Sequence, residues 1–172
     1  MSHALGDIPP LARLPVPHAA VLNIGTLTTD LMESYLETLN EYNQSGWPIV
    51  LDPVGAGATQ FRAQAIVDFL DKGYVDVIKG NLGEIMAVAG WKGGKSRGGD
   101  SIDAGDLDDR CRLAEFLARR ESTRGLVLLL IFLGNIVVVT GKDDVISDGF
   151  DTIIVSNGNA LLGKITGVSS CH

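Results

Sequence analysis

Lys79, Asn81 and Glu84 fall close together in "IKGNLGEI", where a strand-like run passes into a helical one. An ammonium group there can meet phosphate oxygens, while a carboxamide and a carboxylate can hold Mg2+ directly or through water. Glu84 also has a plainer use, because a carboxylate is favoured near a helix N-terminus. Similar polar or glycine-rich stretches follow other apolar runs. Asn23-Ile24-Gly25-Thr26 is one, and Asp52-Pro53-Val54-Gly55-Ala56-Gly57 is another. The small residues of the second leave backbone N–H groups bare, suited to a small-molecule pocket or a phosphate. Asp52 reads either as a group beside a metal or as a turn residue before proline. The Thr140 hydroxyl, followed by Gly141, can meet a phosphate or mark an ordinary turn. Thr166-Gly167, with the N–H groups that follow, has the character of an anion nest at a helix start.

The elements that must position these residues are legible as alternating patterns. Strands are expected over 19–25, 48–55, 75–81 and 135–141, with helices from about Thr29 to Ser45 and over 60–73, 82–90 and 107–122. Thr28 or Thr29 can cap the first helix, and Leu31, Tyr35, Leu36 and Leu39 share one of its faces. Gly73 closes the second helix and Gly90 the third. Segments 144–149 and 152–158 form a hairpin, and the polar, glycine-rich 91–106 reads as a loop. The run 126–133, "LVLLLIFL", is either a long buried strand or an inserted segment. This alternation predicts an α/β fold: a mostly parallel sheet covered on both faces, with a small antiparallel addition. No internal repeat and no dividing linker appear, so 1–172 reads as one domain. Ligands of such sheets collect beyond the carboxyl ends of the strands, where every one of these motifs falls.

The totals narrow the field further. The chain has 172 residues, 45% of them apolar and 20% charged, which excludes a disordered polymer. A net charge of -7 argues against a general nucleic-acid or membrane-surface binder. Cys111 and Cys171 are too few and too far apart for a disulfide framework or a zinc site. The run at 126–133, even joined to "IVVV", falls short of the roughly 20 apolar residues that span a bilayer. Without a basic-apolar leader, the cytosol is the expected compartment.

Taken together, these motifs resemble the hydroxyethylthiazole kinase family, ribokinase-like enzymes that phosphorylate 4-methyl-5-(2-hydroxyethyl)thiazole for thiamine synthesis. The stretches that carry the resemblance are "MSHALGDIP", "VLNIGTLT", "PIVLDPVGAGAT", "IKGNLGEI", "GGDS", "VVVTGKDDVISDG" and "NGNALLGKITG". The resemblance implies ATP and Mg2+ as cofactors and a homotrimer with sites at subunit interfaces. Some members are fused to thiamine-phosphate synthase. It also implies residue roles. Met1, Asn23, Gly25 and Gly167 belong to the thiazole side. Lys79, Asn81, Thr140 and Gly141 belong to the nucleotide side, and Glu84 and Asp52 to the metal.

Lys79 stands where the family usually has arginine, an imperfect exchange of a planar fork for a point charge. Gly167 and Ser170 stand at the catalytic anion hole, where the family pattern reads Thr-Gly-Ala/Thr-Gly-Cys. Here the chain reads Thr166-Gly167-Val168-Ser169-Ser170, so Ser169 replaces a glycine and Ser170 the cysteine. Family members also carry a strand and helix before "MSHA" and several helices after this point. The resemblance therefore implies a partial ribokinase-like domain, cut at both ends and without turnover of its own. Alternatives are another ribokinase-like kinase, for hydroxymethylpyrimidine or pyridoxine, and a non-catalytic nucleotide-binding or assembly fragment.

Overall fold

The computed structural model describes residues 19–90, 107–124, 135–156 and 158, the side chains of 120–124 excepted. The elements are β1 (Ala20–Asn23), α1 (Thr29–Ser45), β2 (Ile49–Asp52), α2 (Gln60–Lys72), β3 (Val77–Asn81), α3 (Leu82–Ala89), α4 (Leu107–Arg124), β4 (Ile136–Thr140), β5 (Asp144–Ser147) and β6 (Thr152–Val155). The run at 126–133, the loop at 91–106 and the segment from Thr166 onward lie outside the described residues.

The helices begin where the sequence supplies caps. Thr28 accepts a hydrogen bond from the Leu31 N–H at 3.2 Å, and Thr59 accepts one from the Arg62 N–H at 3.2 Å. Either cap satisfies one of the donors that a helix start leaves unpaired. At its far end α1 stops on Gly46 and α3 on Gly90, both in the left-handed conformation. Gly73 closes α2 for a different reason, since its backbone is extended there. A Cβ on Gly73 would stand 2.5 Å from Leu39 Cγ and 2.9 Å from Asn43 Oδ1 of α1. Close approach of two helices selects this glycine, not its φ angle.

The six strands form one sheet in sequence order, β1-β2-β3-β4-β5-β6. β1 to β4 run parallel, and β5 and β6 add as antiparallel neighbours, the expected hairpin. A strand order without reversal, combined with right-handed crossovers, puts every connecting helix on the same face. The helices accordingly contact one another in series, α1 with α2, α2 with α3 and α3 with α4. Their apolar stripes (Leu39 and Tyr42; Ile66 and Phe69; Ile85 and Val88; Leu113 and Leu117) meet Leu22, Ile49, Leu51, Ile78, Val137, Val139 and Val145 in one core. The expectation of a sheet covered on both faces is therefore met on one face only among the described residues. On the other face Val21 is 62% exposed, Ile136 39% and Ile153 61%.

Polar side chains tie the opposite edge of the sheet, at the strand starts. Asn43 accepts from the Tyr74 N–H at 2.6 Å and donates to the Tyr74 carbonyl at 2.9 Å. Asp76 accepts from the Ile49 N–H at 2.7 Å, and Asn135 donates to the Val75 carbonyl. These bonds satisfy backbone groups where the ladders have not yet begun.

Gly73→Ala must push Leu39 and Asn43 away, and overpacking of this kind costs about 1–3 kcal/mol. A urea or guanidinium titration reads this as a lower midpoint at constant slope. An unchanged midpoint would show that α1 and α2 do not approach so closely.

Candidate functional site

Parallel pairing brings the carboxyl ends of β1 to β4 to one rim. Asn23 lies beside Asp52, and Asn81 beside Thr140. Alternation along each strand then sorts these residues by face. Leu22, Leu51, Ile78 and Val139 turn toward the helices and are buried. Asn23, Asp52, Lys79 and Thr140 hold the alternate positions, so they belong to the face away from the described helices, while Asn81 ends β3 as the cap of α3. The sheet's pleat thus separates a greasy underside from a polar rim.

The rim is wired by short hydrogen bonds. Asn23 donates through Nδ2 to Asp52 Oδ2 at 2.7 Å and accepts at Oδ1 from the Gly25 N–H at 2.9 Å. Both halves of its amide are used, which sets the orientation of Asp52 and of the loop after β1. Tyr35 reaches up from α1 and donates to the Asn23 carbonyl at 3.0 Å. Burial pushes the Tyr35 phenol above its ordinary range, so it remains a donor at neutral pH.

Glu84 holds the next junction. Its Oε1 accepts from the Gly55 N–H at 3.0 Å and its Oε2 from the Asn81 N–H at 2.9 Å, while Asn81 Oδ1 accepts from the Glu84 N–H at 2.9 Å. The last two bonds are a capping box at the start of α3. The capping use expected for Glu84 is therefore realised, and the carboxylate also secures the glycine loop after β2. Gly80 makes room for this, because a Cβ there would stand 3.0 Å from Glu84 Oε2. Each Glu84 oxygen keeps further lone-pair capacity.

At the end of β4, Thr140 is 8% exposed and its Oγ1 has no hydrogen-bond partner among the described residues. The Gly141 N–H donates to Asp144 Oδ1 at 2.8 Å, which closes the turn into β5. Arg110, from the first turn of α4, donates to the Val139 carbonyl at 3.3 Å and lies against Gly141. Lys79 is half-buried, and among the described residues it forms no ion pair.

The structure thus brings Asn23, Gly25, Asp52, Lys79, Asn81, Glu84, Thr140 and Gly141 to one rim. Met1, Gly167 and Ser170 lie outside the described residues. Three residues with site contacts, Tyr35, Arg62 and Arg110, carry no signal of function in the sequence reading. Tyr35 counts there only as part of an apolar helix face, and Arg62 and Arg110 only as helix residues. The proximity of Arg62 to "GAGAT" was the available signal. Cys111 offers no nucleophile: it is half-buried, and burial pushes its thiol up, with Asp108 and Glu115 adding to the effect. No group of three or more His, Cys, Asp or Glu side chains that could hold a metal occurs among the described residues. A cation held here would depend on few carboxylates and on oxygens brought by its ligand.

An open, mostly parallel sheet with glycine loops and polar groups gathered at its strand ends defines an α/β protein of the kind whose ligands collect along that edge. The hydroxyethylthiazole kinase family model matches residues 1–172, and the chain belongs to that family. Hydroxyethylthiazole kinase of Pyrococcus horikoshii is 42% identical over 167 residues, covering 97% of this chain and 57% of that relative. Its counterpart in Methanosarcina acetivorans is 38% identical over 176 residues, covering 97% of this chain and 61% of the relative. The solved structure of the Pyrococcus horikoshii OT3 protein matches with a TM-score of 0.68 at 39% identity, over 87% of this chain and 49% of that one. The chain therefore spans less than two thirds of the length of these relatives.

Glu84→Gln removes one of the two acceptor oxygens and turns an NH2 group toward a backbone donor. Loss of charge-assisted bonds at a half-buried site costs about 1.5–3 kcal/mol of folding free energy. Equilibrium unfolding measures it, and a variant as stable as the parent would mean that the bracket between Gly55 and Asn81 carries no load.

Proposed function

We propose that this chain carries part of the site that, in full-length members of the family, transfers the γ-phosphoryl group of ATP to the hydroxyl of 4-methyl-5-(2-hydroxyethyl)thiazole, in the synthesis of thiamine. The observation that carries this reading is the family match over the whole chain, joined to a rim where Lys79, Asn81, Glu84 and Thr140 stand together. Lys79 meets the phosphate oxygens as a point charge. Asn81 and Gly141 belong to the nucleotide side with Thr140, whose buried hydroxyl lacks a partner within the described residues and is free to donate to a phosphate.

The oxygen donors fit Mg2+, which keeps much of its own water and takes one or two carboxylates together with substrate phosphates. Asp52 and Glu84 would supply those carboxylates. Mg2+ would neutralise charge on the phosphoryl group being transferred. Asn23, Gly25 and Met1 form the thiazole side, with the bond from Asn23 to Asp52 setting how close the alcohol comes to the phosphates. Gly167 supplies backbone N–H groups to the anion hole, and Ser170 sits where the family pattern has cysteine. A homotrimer in the cytosol completes the reading. Cytosolic ATP and reduced thiols suit a kinase with a free cysteine.

ATP titration in the presence of Mg2+ tests the nucleotide side apart from turnover. Lys79→Ala weakens binding by about 1–2 kcal/mol, or about 5–30-fold, and Lys79→Arg binds at least as well as the parent. Equal affinity in a folded Lys79→Ala variant would remove Lys79 from the site. Thiazole-dependent ADP release by the chain extended to the length of its relatives, run against hydroxymethylpyrimidine and pyridoxine, tests the acceptor. Preference for either of those alcohols would replace the thiazole reading.

A further inference from the structure

Arg62 has no part in the reaction proposed above, yet its side chain is spent on the site. It stands in the first turn of α2, where its own N–H is bound by the cap residue Thr59. A cation in that turn opposes the helix macrodipole, so the position is one where arginine is mildly unfavourable. Its guanidinium runs back over the strand ends and donates through Nη2 to the Gly25 carbonyl, in the loop after β1. The neighbouring Nη1 fills the space above Gly55, where a Cβ would stand 2.5 Å away. Gly55 has φ 65, so both its backbone and the presence of Arg62 demand glycine. Among the described residues no carboxylate pairs with Arg62. A charged fork is therefore held against two backbone loops.

We infer that Arg62 is a positioning residue that fixes the Gly25 loop against the Gly55 loop. Through the Gly55 N–H, which is bound to Glu84, it sets the spacing between the thiazole side and the phosphate side of the site. This rests on the proposed assignment of those two sides. Spacing matters because reacting groups must be held within near-contact distance, and a displacement of about 1 Å can cost about a hundred-fold in rate. Tyr35 and Asn23 hold the Gly25 loop from the other direction, and Arg62 adds a link to the Gly55 loop beyond the bonds that Asn23 and Ile24 make to Asp52.

The test compares Arg62→Met, which keeps the apolar stem and loses the fork, with Arg62→Lys, which keeps one donor. Backbone hydrogen exchange of the 172-residue chain resolves both loops against the core. In Arg62→Met, amides of residues 24–27 and 54–58 exchange about ten-fold faster or more relative to those of Ile66 and Phe69, as expected when one charge-assisted bond is lost. In Arg62→Lys the Gly25 loop stays protected and the Gly55 loop loosens, because a single ammonium cannot serve both.

Affinity for 4-methyl-5-(2-hydroxyethyl)thiazole falls about ten-fold in Arg62→Met and less in Arg62→Lys, while ATP affinity changes by less than about two-fold. A uniform rise in exchange across the chain, or equal losses of thiazole and ATP affinity, would reduce Arg62 to a general stabiliser and overturn the inference. If the parent chain binds no thiazole alcohol, the acceptor assignment fails, and the exchange pattern alone still decides whether Arg62 clamps the two loops.

Discussion

The carboxylate of Glu84 accepts one backbone N–H from the loop after β2 and one from the junction of β3 with α3. The rest of the rim depends on that sharing. Two segments that never pair along their ladders at this level are held at a common acceptor, and Asn81 returns a bond that stops α3 from fraying. Because the acceptor is charged and half-buried, each bond is stronger than its neutral counterpart, and loss of one partner leaves the other exposed to that cost. Asn23 repeats the device between β1 and β2, with a neutral amide in place of the carboxylate. Both brackets lie at strand carboxyl ends, where backbone groups have left the ladder and need other partners.

Sheet topology explains where this rim faces. With no reversal in strand order, the helices lie in a single row against one side, and the core forms there. The pleat then turns the polar ends Asn23, Asp52, Lys79 and Thr140 toward the side that the described helices leave open. That side also carries Val21, Ile136 and Ile153. Polar rim and apolar surface thus share one face, and whatever packs on the second will border the first.

Much of this was legible in the residues, for local reasons. Apolar spacing and cap residues located α1, α2 and α3 to within a residue and the β5–β6 hairpin to within three, because helix and hairpin signals act over a few neighbours. The polar motifs after each strand were equally visible, and their convergence followed from the general behaviour of parallel sheets. Other features had no local signature. Gly73 reads as a helix stop, yet the atoms that require it belong to Leu39 and Asn43 of another helix. Asn43 and Asp76 look like ordinary surface polars and in fact tie down backbone at the strand starts.

The sequence by itself determined the order of the elements, the polar motifs that lie at the strand ends and the family to which they belong, since all of these are carried by neighbours along the chain. Tertiary structure decided the rest. It decided that both Glu84 oxygens are occupied by backbone, that one sheet face carries the described helices, and that Arg62 spans from Gly25 to Gly55. The physical reason is distance along the chain. Gly25 and Arg62 are 37 residues apart, and Gly55 and Glu84 are 29 apart, so no local propensity encodes their meeting. Only the pairing of parallel strands brings those loops to one edge, where a guanidinium or a carboxylate can reach them.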